Sequence, residues 1–313
     1  MDRLRWRGTP VPLVLTLLLV ACGGPPGAGA GERPTATAGT AFPVTVEAAN
    51  GPVRIQARPE RIVSLSPTST EMLFAIGAGD QVVAADEFSD YPPEAPDTDL
   101  SGYEPNVEAI AGFEPDLVVL SDDVNDVVAS LEALDVPVIL HPAAETLEDT
   151  YRQIEQLGQA TGNAERATEV VAEMRAEIER LLERAARLEE PLTYYHELDP
   201  TFFSVTSETF IGQIYGLVGL ENIADRAEGG PYPQLSAEFI VEADPDLIFL
   251  ADAECCGVTP RQVARRPGWD RITAVRTGAI VELDEDVASR WGPRIVELLR
   301  TVVEEVERLE EAA

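Results

Sequence analysis

The sequence predicts an α/β protein of two related lobes, each a parallel sheet covered by helices, with one long helix bridging them. Three observations carry this. The chain has 313 residues, about twice the roughly 150 residues of a usual domain. Residues 106–120 (NVEAIAGFEPDLVVL) and 236–250 (SAEFIVEADPDLIFL) repeat one another at an offset of 130, matching Glu108/Glu238, Ile110/Ile240, Pro115/Pro245, Asp116/Asp246, Leu117/Leu247 and Leu120/Leu250. Between the copies, Val170, Val171, Met174, Ile178, Leu181 and Leu182 recur at helical spacing and form one apolar stripe.

Each element follows from local chemistry. In both repeats a polar residue, Asn106 or Ser236, is placed to cap a short helix, and Glu108 or Glu238 sits in its first turn, where the helix dipole favours an anion. Pro115 or Pro245 ends that helix, and an unbroken apolar run follows, as in parallel strands buried on both faces. Upstream, Met72–Asp86 and Gln213–Asp225 each read as helix, glycine-containing turn, then strand. Thr146 with Asp149 predicts a capped helix to about Gln159, broken at Thr161-Gly162-Asn163. A second helix runs from Ala164 to about Leu188; ~25 residues span roughly 37 Å, enough to join two lobes rigidly. The stripe has too few heptads for a coiled coil. The expected units are an N-terminal lobe over 42–145, bridging helices over 146–190 and a C-terminal lobe over 191–313.

The first 41 residues read as targeting. Arg3, Arg5 and Arg7 precede an apolar stretch from Val11 to Ala21, too short for the about 20 residues of a spanning helix, so residues 1–21 are expected to be a signal peptide. Leu19-Val20-Ala21-Cys22 resembles the cleavage motif of bacterial lipoproteins, with Cys22 as the lipidated first residue. Gly23 to Ala41 is a flexible tether in composition.

Charge excludes one class of partner. The chain holds 56 acidic and 23 basic residues, all of the latter Arg, for a net charge of −33. Such a surface repels phosphate backbones, so nucleic acid is not expected. Two histidines cannot build a multi-His metal site. No G-x-S-x-G, P-loop or H-E-x-x-H is present, and His141 and His196 stand beside no nucleophile motif, so no catalytic residue and no enzyme activity are expected.

From about Phe42 the chain resembles the substrate-binding proteins of ABC importers for iron-siderophores, haem and cobalamin. The resemblance rests on Arg61-Ile62-Val63-Ser64-Leu65-Ser66-Pro67 with Glu71, Phe88-Ser89-Asp90-Tyr91-Pro92-Pro93, Asn106-Val107-Glu108, Pro115-Asp116-Leu117-Val118, Tyr232-Pro233-Gln234-Leu235-Ser236 and Ser289-Arg290-Trp291-Gly292-Pro293-Arg294-Ile295. Cobalamin-binding members resemble it most. The resemblance implies two Rossmann-like lobes, a ligand cleft between them, and an extracytoplasmic lipoprotein on the outer face of the cell membrane. It also implies docking through Glu108 and Glu238 onto an ABC permease dimer with its ATPase. A monomer is expected, with no cofactor of its own: the ligand, a corrinoid or ferric chelate, brings its metal. A surface sensor or adhesion lipoprotein, or a haem receptor, is the alternative on the same scaffold.

Topology places the cleft beyond the carboxyl ends of the strands. Ser121 follows the first-lobe strand, and aromatic residues, only 6% of the chain, cluster near the other ends: Phe88, Tyr91, Tyr103, Phe202, Phe203, Tyr232 and Trp291. Flat rings suit a corrin or bulky chelate. Phe88, Tyr103, Ser121, Phe203, Tyr232, Arg290 and Trp291 are the expected ligand contacts, with two open alternatives: Phe203 caps a local apolar cluster, and Arg290 pairs with Glu285 or Asp286. Acidic loops around the cleft disfavour a strongly anionic chelate, so a corrinoid ranks first and a ferric hydroxamate second. Cys255 and Cys256 are adjacent; their Cα atoms, ~3.8 Å apart, allow either a strained vicinal disulfide or two free thiols.

Overall fold

The structure, a computed structural model, describes residues 41–185 and 191–312. The signal segment, Cys22, the tether to residue 40 and the end of the bridging helix lie outside the described residues.

The N-terminal sheet holds β3 (Ile62–Leu65), β4 (Val82–Ala85), β5 (Leu117–Leu120) and β6 (Val138–Leu140), ordered β4-β3-β5-β6 with every pair parallel. The C-terminal sheet holds β7 (Thr193–Glu197), β8 (Glu221–Asn222), β9 (Leu247–Leu250) and β10 (Ile280–Glu282), ordered β10-β9-β7-β8, again all parallel. Numbered within its lobe, each sheet reads second, first, third, fourth. The sequence repeat is therefore a repeat of topology, and β5 and β9 fall at the same offset of 130.

The shared Pro-Asp pair has a structural job. Asp116 accepts the backbone N–H groups of Glu60 and Arg61 at 2.8 and 2.9 Å, at the entrance to β3. Asp246 accepts the N–H and hydroxyl of Thr193, at 2.8 and 2.9 Å, at the start of β7. Each carboxylate pins the first strand of its lobe beside the third.

The unbroken apolar runs are buried on both faces, as expected. Ile62, Leu117 and Val119 turn to one side, Val63, Leu65, Val118 and Leu120 to the other. The first side is continuous with the bridging helices, Leu147–Thr161 and Ala164–Ala185, and through them with the C-terminal lobe. Thr146 and Asp149 form the expected capping box. Val170, Val171, Met174, Ile178 and Leu181 are buried, packed in part on the last helix, Ile295–Ala312. The stripe thus finds its cover inside the chain.

One element went unexpected: the hairpin of β1 (Val44–Ala48) and β2 (Gly51–Ile55). Asn50, at its turn, donates to Val138 O and accepts from Leu140 N–H, fastening the hairpin to β6 at the sheet edge.

Both histidines are buried, and burial holds them neutral, at about 4 for His141 and about 3 for His196. The unfolded chain protonates its imidazoles below about 6.5. The stability tied to the neutral rings is intact above that pH and falls as pH drops toward 4, by about 1.4 kcal/mol per unit for each ring. Asp252, pushed up to about 7 by burial and by Glu197, acts in the opposite direction over the same window. Urea denaturation from pH 6.5 to 4 should therefore show a shallower acid limb for His141→Gln than for the parent; equal slopes would contradict it.

Candidate functional site

The carboxyl ends of the strands carry two aromatic walls. On the N-terminal lobe, Phe88 (49% exposed) and Tyr103 (75%) meet edge-to-face, ring centroids 5.8 Å apart. Their loops are built on the ends of β3 and β4. Asp86 pairs with Leu100, and Glu87 N–H donates to Leu100 O at 2.7 Å. Asp86 accepts from Ser89 Oγ at 2.6 Å, Ser89 meets Thr70 Oγ1 at 2.9 Å, and Thr70 donates to Ser64 Oγ at 2.8 Å. Gly102 makes the Tyr103 loop fit, since a Cβ there would lie 2.5 Å from the Leu65 carbonyl oxygen.

The C-terminal wall is Phe203 (37% exposed) and Tyr232 (53%). Residues 202–206 and 231–235 run antiparallel: Leu235 N–H donates to Phe202 O, Ser204 N–H to Pro233 O and Thr206 N–H to Pro231 O, all at 2.9–3.0 Å. Phe202 adopts a left-handed φ of 69°. Its ring packs 5.9 Å from that of buried Trp269, while its neighbour Phe203 stays exposed. Beneath this wall, Glu197 at the end of β7 is wholly buried and held bidentate by Arg266, with Nη2 at 2.6 Å. Arg266 also lies over the Trp269 ring at 4.6 Å. Asp252, just past β9, is buried with them.

Arg290 and Trp291 both make contacts within the chain that bear on their expected role. Arg290 is 8% exposed and fastens the lobes together. Its Nη1 donates to Glu71 at 2.9 Å; its Nη2 donates to Phe88 O at 2.9 Å and reaches Asp90 at 3.0 Å and Asp286 at 2.6 Å. The open alternative of a pair with Asp286 is the one found, extended across the lobe boundary. Arg294 completes the cluster, bidentate on Glu71 at 2.7 and 3.0 Å and 4.1 Å over the Tyr91 ring. Burial, opposed by Arg290, pushes Asp286 up to about 6. Trp291 is half-buried, its indole N–H given to Gln153 of the bridging helix at 2.9 Å. The Arg290 guanidinium thus has four partners within the chain, on both sides of the lobe boundary. It holds the backbone of Phe88 and so orients the N-terminal wall. Ser121 lies half-buried at the end of β5, as its position implied.

Cys255 and Cys256 are both exposed and carry no disulfide bond in this structure, their sulfurs 2.6 Å apart. The planar trans peptide between neighbours strains a vicinal disulfide ring. Glu108 and Glu238 lie in the first turns of Val107–Ala111 and Ala237–Ala243, capped by Asn106 and Ser236, both exposed.

Sequence reasoning quoted Glu71 without a role, read Asp252 only as part of an acidic loop at the cleft, and missed Glu197 and Arg266. Glu71 stood just ahead of an apolar stretch, Met72-Leu73-Phe74-Ala75, and Asp252 directly behind the apolar run Leu247–Ala251. A charge bordering a buried run is the available signal, since buried charges require partners.

Two aromatic walls at the carboxyl ends of duplicated parallel sheets, fastened across their boundary, define a two-lobed solute-binding architecture. The periplasmic binding protein family matches residues 62–287, and the chain belongs to it. A cobalamin-binding protein of Halobacterium salinarum is 33% identical, covering 93% of this chain and 82% of its own. An uncharacterised ABC transporter substrate-binding lipoprotein of Bacillus subtilis is 29% identical, covering 94% of each chain. Among solved structures, the periplasmic vitamin B12 binding protein of Vibrio cholerae superposes with a TM-score of 0.68 at 27% identity, covering 81% of this chain and 98% of that one. A periplasmic haem-binding protein of Roseiflexus reaches 0.71 at 26% identity, covering 80% and 98%.

Proposed function

We propose that this chain captures a corrinoid outside the cytoplasm and delivers it to an ABC importer, held at the membrane face by lipid on Cys22. The observation that carries the reading is four of the exposed rings at the strand ends, Phe88 and Tyr103 on one lobe, Phe203 and Tyr232 on the other. Exposed aromatic faces on both walls are what a flat macrocycle needs. The names borne by the Halobacterium and Vibrio proteins support the same ligand class. Both histidines of the chain are buried, so a haem in the cleft would find no imidazole, and its iron would have to take Tyr103 or Tyr232. A ferric hydroxamate is the nearest competitor. The ligand brings the only metal this reading needs, and Glu108 and Glu238 present one carboxylate per lobe to the permease.

Calorimetric titration with cobalamin, cobinamide, haem and ferric hydroxamates tests the reading. One corrinoid should bind per chain. Tyr232→Ala should weaken it by about 2 kcal/mol, some 30-fold, as an aromatic anchor does. No binding of cobalamin or cobinamide at 100 μM, a chosen ceiling of roughly −5.5 kcal/mol, would refute it, whether or not haem or a hydroxamate binds.

A further inference from the structure

Ligand capture gives Cys255 and Cys256 no part. Their sulfurs, 2.6 Å apart, stand inside ordinary contact and about 0.6 Å beyond the ~2.05 Å of a disulfide bond. The turn bearing them is pinned. Cys256 N–H donates to Asp252 O at 3.2 Å, Gly257 N–H to Ala253 O at 3.1 Å, and Cys255 N–H to Glu285 at 3.0 Å. Gly257 takes the left-handed φ of 67° that closes this short helix, Ala253–Cys256. It directly follows β9, which neighbours the first strand of its sheet, β7. In sheets of this order, ligands sit between the ends of such strands. The thiols therefore stand at the rim of the cleft, facing solvent and each other.

We propose that Cys255–Cys256 is a redox modification site: a dithiol that a small-molecule disulfide converts to a vicinal disulfide and a dithiol reductant restores. One cysteine thiolate attacks the oxidant RSSR, forming a mixed disulfide and expelling RS⁻. The neighbouring thiolate then attacks the cysteine sulfur of that mixed disulfide, closing the ring and expelling the second RS⁻. The two thiol protons pass to the two RS⁻ ions. The protein loses two electrons and two protons, and RSSR becomes two RSH. The local charge sets the pace. The Cys256 sulfur, burial and Glu285 together push the Cys255 thiol up to about 12, so thiolate is scarce at neutral pH and the reduced form gains little from it. The site does not depend on which ligand fills the cleft.

The experiment treats the reduced, purified full chain with oxidised glutathione at pH 8 and maps peptides by mass. The peptide holding both cysteines should lose about 2 Da, the mass of two hydrogens, carry no glutathione, and return to its starting mass with dithiothreitol. Cys255→Ser and Cys256→Ser should each keep a stable glutathione adduct on the remaining thiol, because no neighbour is left to expel it. A lasting adduct on the parent chain, a disulfide-linked dimer through these residues, or two thiols that remain alkylatable in the parent would each overturn the proposal. The parent-chain result stands without the variants.

Discussion

Replacing Glu108 and Glu238 together by Arg is expected to reduce uptake of the ligand through its cognate permease to background. The same variant should bind ligand with unchanged affinity. Both side chains are exposed in the first turns of short helices at equivalent places in the two lobes. Neither is needed for the fold beyond a helix-dipole contribution of about 0.3–1 kcal/mol. The family resemblance implies an Arg pocket on each permease subunit; a carboxylate there would make a bidentate, oriented contact, and an Arg in its place would set like charge against like. Single Ala variants should each lower uptake, and the double Ala variant should lie between them and the double reversal. Radiolabelled uptake in cells, with calorimetric titration of the same purified variants, separates docking from capture. Normal uptake by the double Arg variant would remove docking from the account.

The second large effect is expected at Arg266. Arg266→Met should cost about 3–5 kcal/mol of stability, the usual penalty for stripping a buried carboxylate of its partner. Glu197 is wholly buried and bonded bidentate to this one guanidinium, with buried Asp252 close enough to raise the cost of its charge. The aromatic wall should suffer as well, because Arg266 lies against the rings of Trp269 and Phe202, the neighbour of Phe203. Adding Glu197→Gln to Arg266→Met should recover most of the loss, since a neutral amide needs no counter-charge. Urea denaturation of the three proteins checks this. A loss below 1 kcal/mol for Arg266→Met, or no recovery in the double variant, would contradict it.

The elements legible in the sequence were those whose chemistry is local. Asn106, Ser236 and Thr146 cap the helices they precede. The runs at 117–120 and 247–250 form strands because residues alternating across two faces are all apolar. Phe88, Tyr103, Phe203 and Tyr232 lie exposed at strand ends because topology alone puts loops there. What could not be read was pairing between residues far apart in the chain. Arg290 finds Glu71 219 residues away, and Arg266 finds Glu197 69 residues away. No spacing rule links such residues. The hairpin at 44–55 was readable, with Asn50-Gly51 between alternating runs, a recognised turn pair. Its tie to β6 through the Asn50 side chain was not.

The fastening at Glu71 also bears on the timing of capture. Arg290 and Arg294 reach Glu71 from the far lobe, and Trp291 beside them is tied to Gln153 of the helix Leu147–Thr161, so the lobe boundary is fastened at Glu71 and Gln153 without any solute. A solute meeting walls already set gives up little ordering entropy to arrange them. A wide swing of the lobes would have to break buried ion pairs, at a cost of several kcal/mol. On the proposed reading, an importer would have to distinguish the loaded from the empty chain by touch at the rim, from the solute itself and the loops around it.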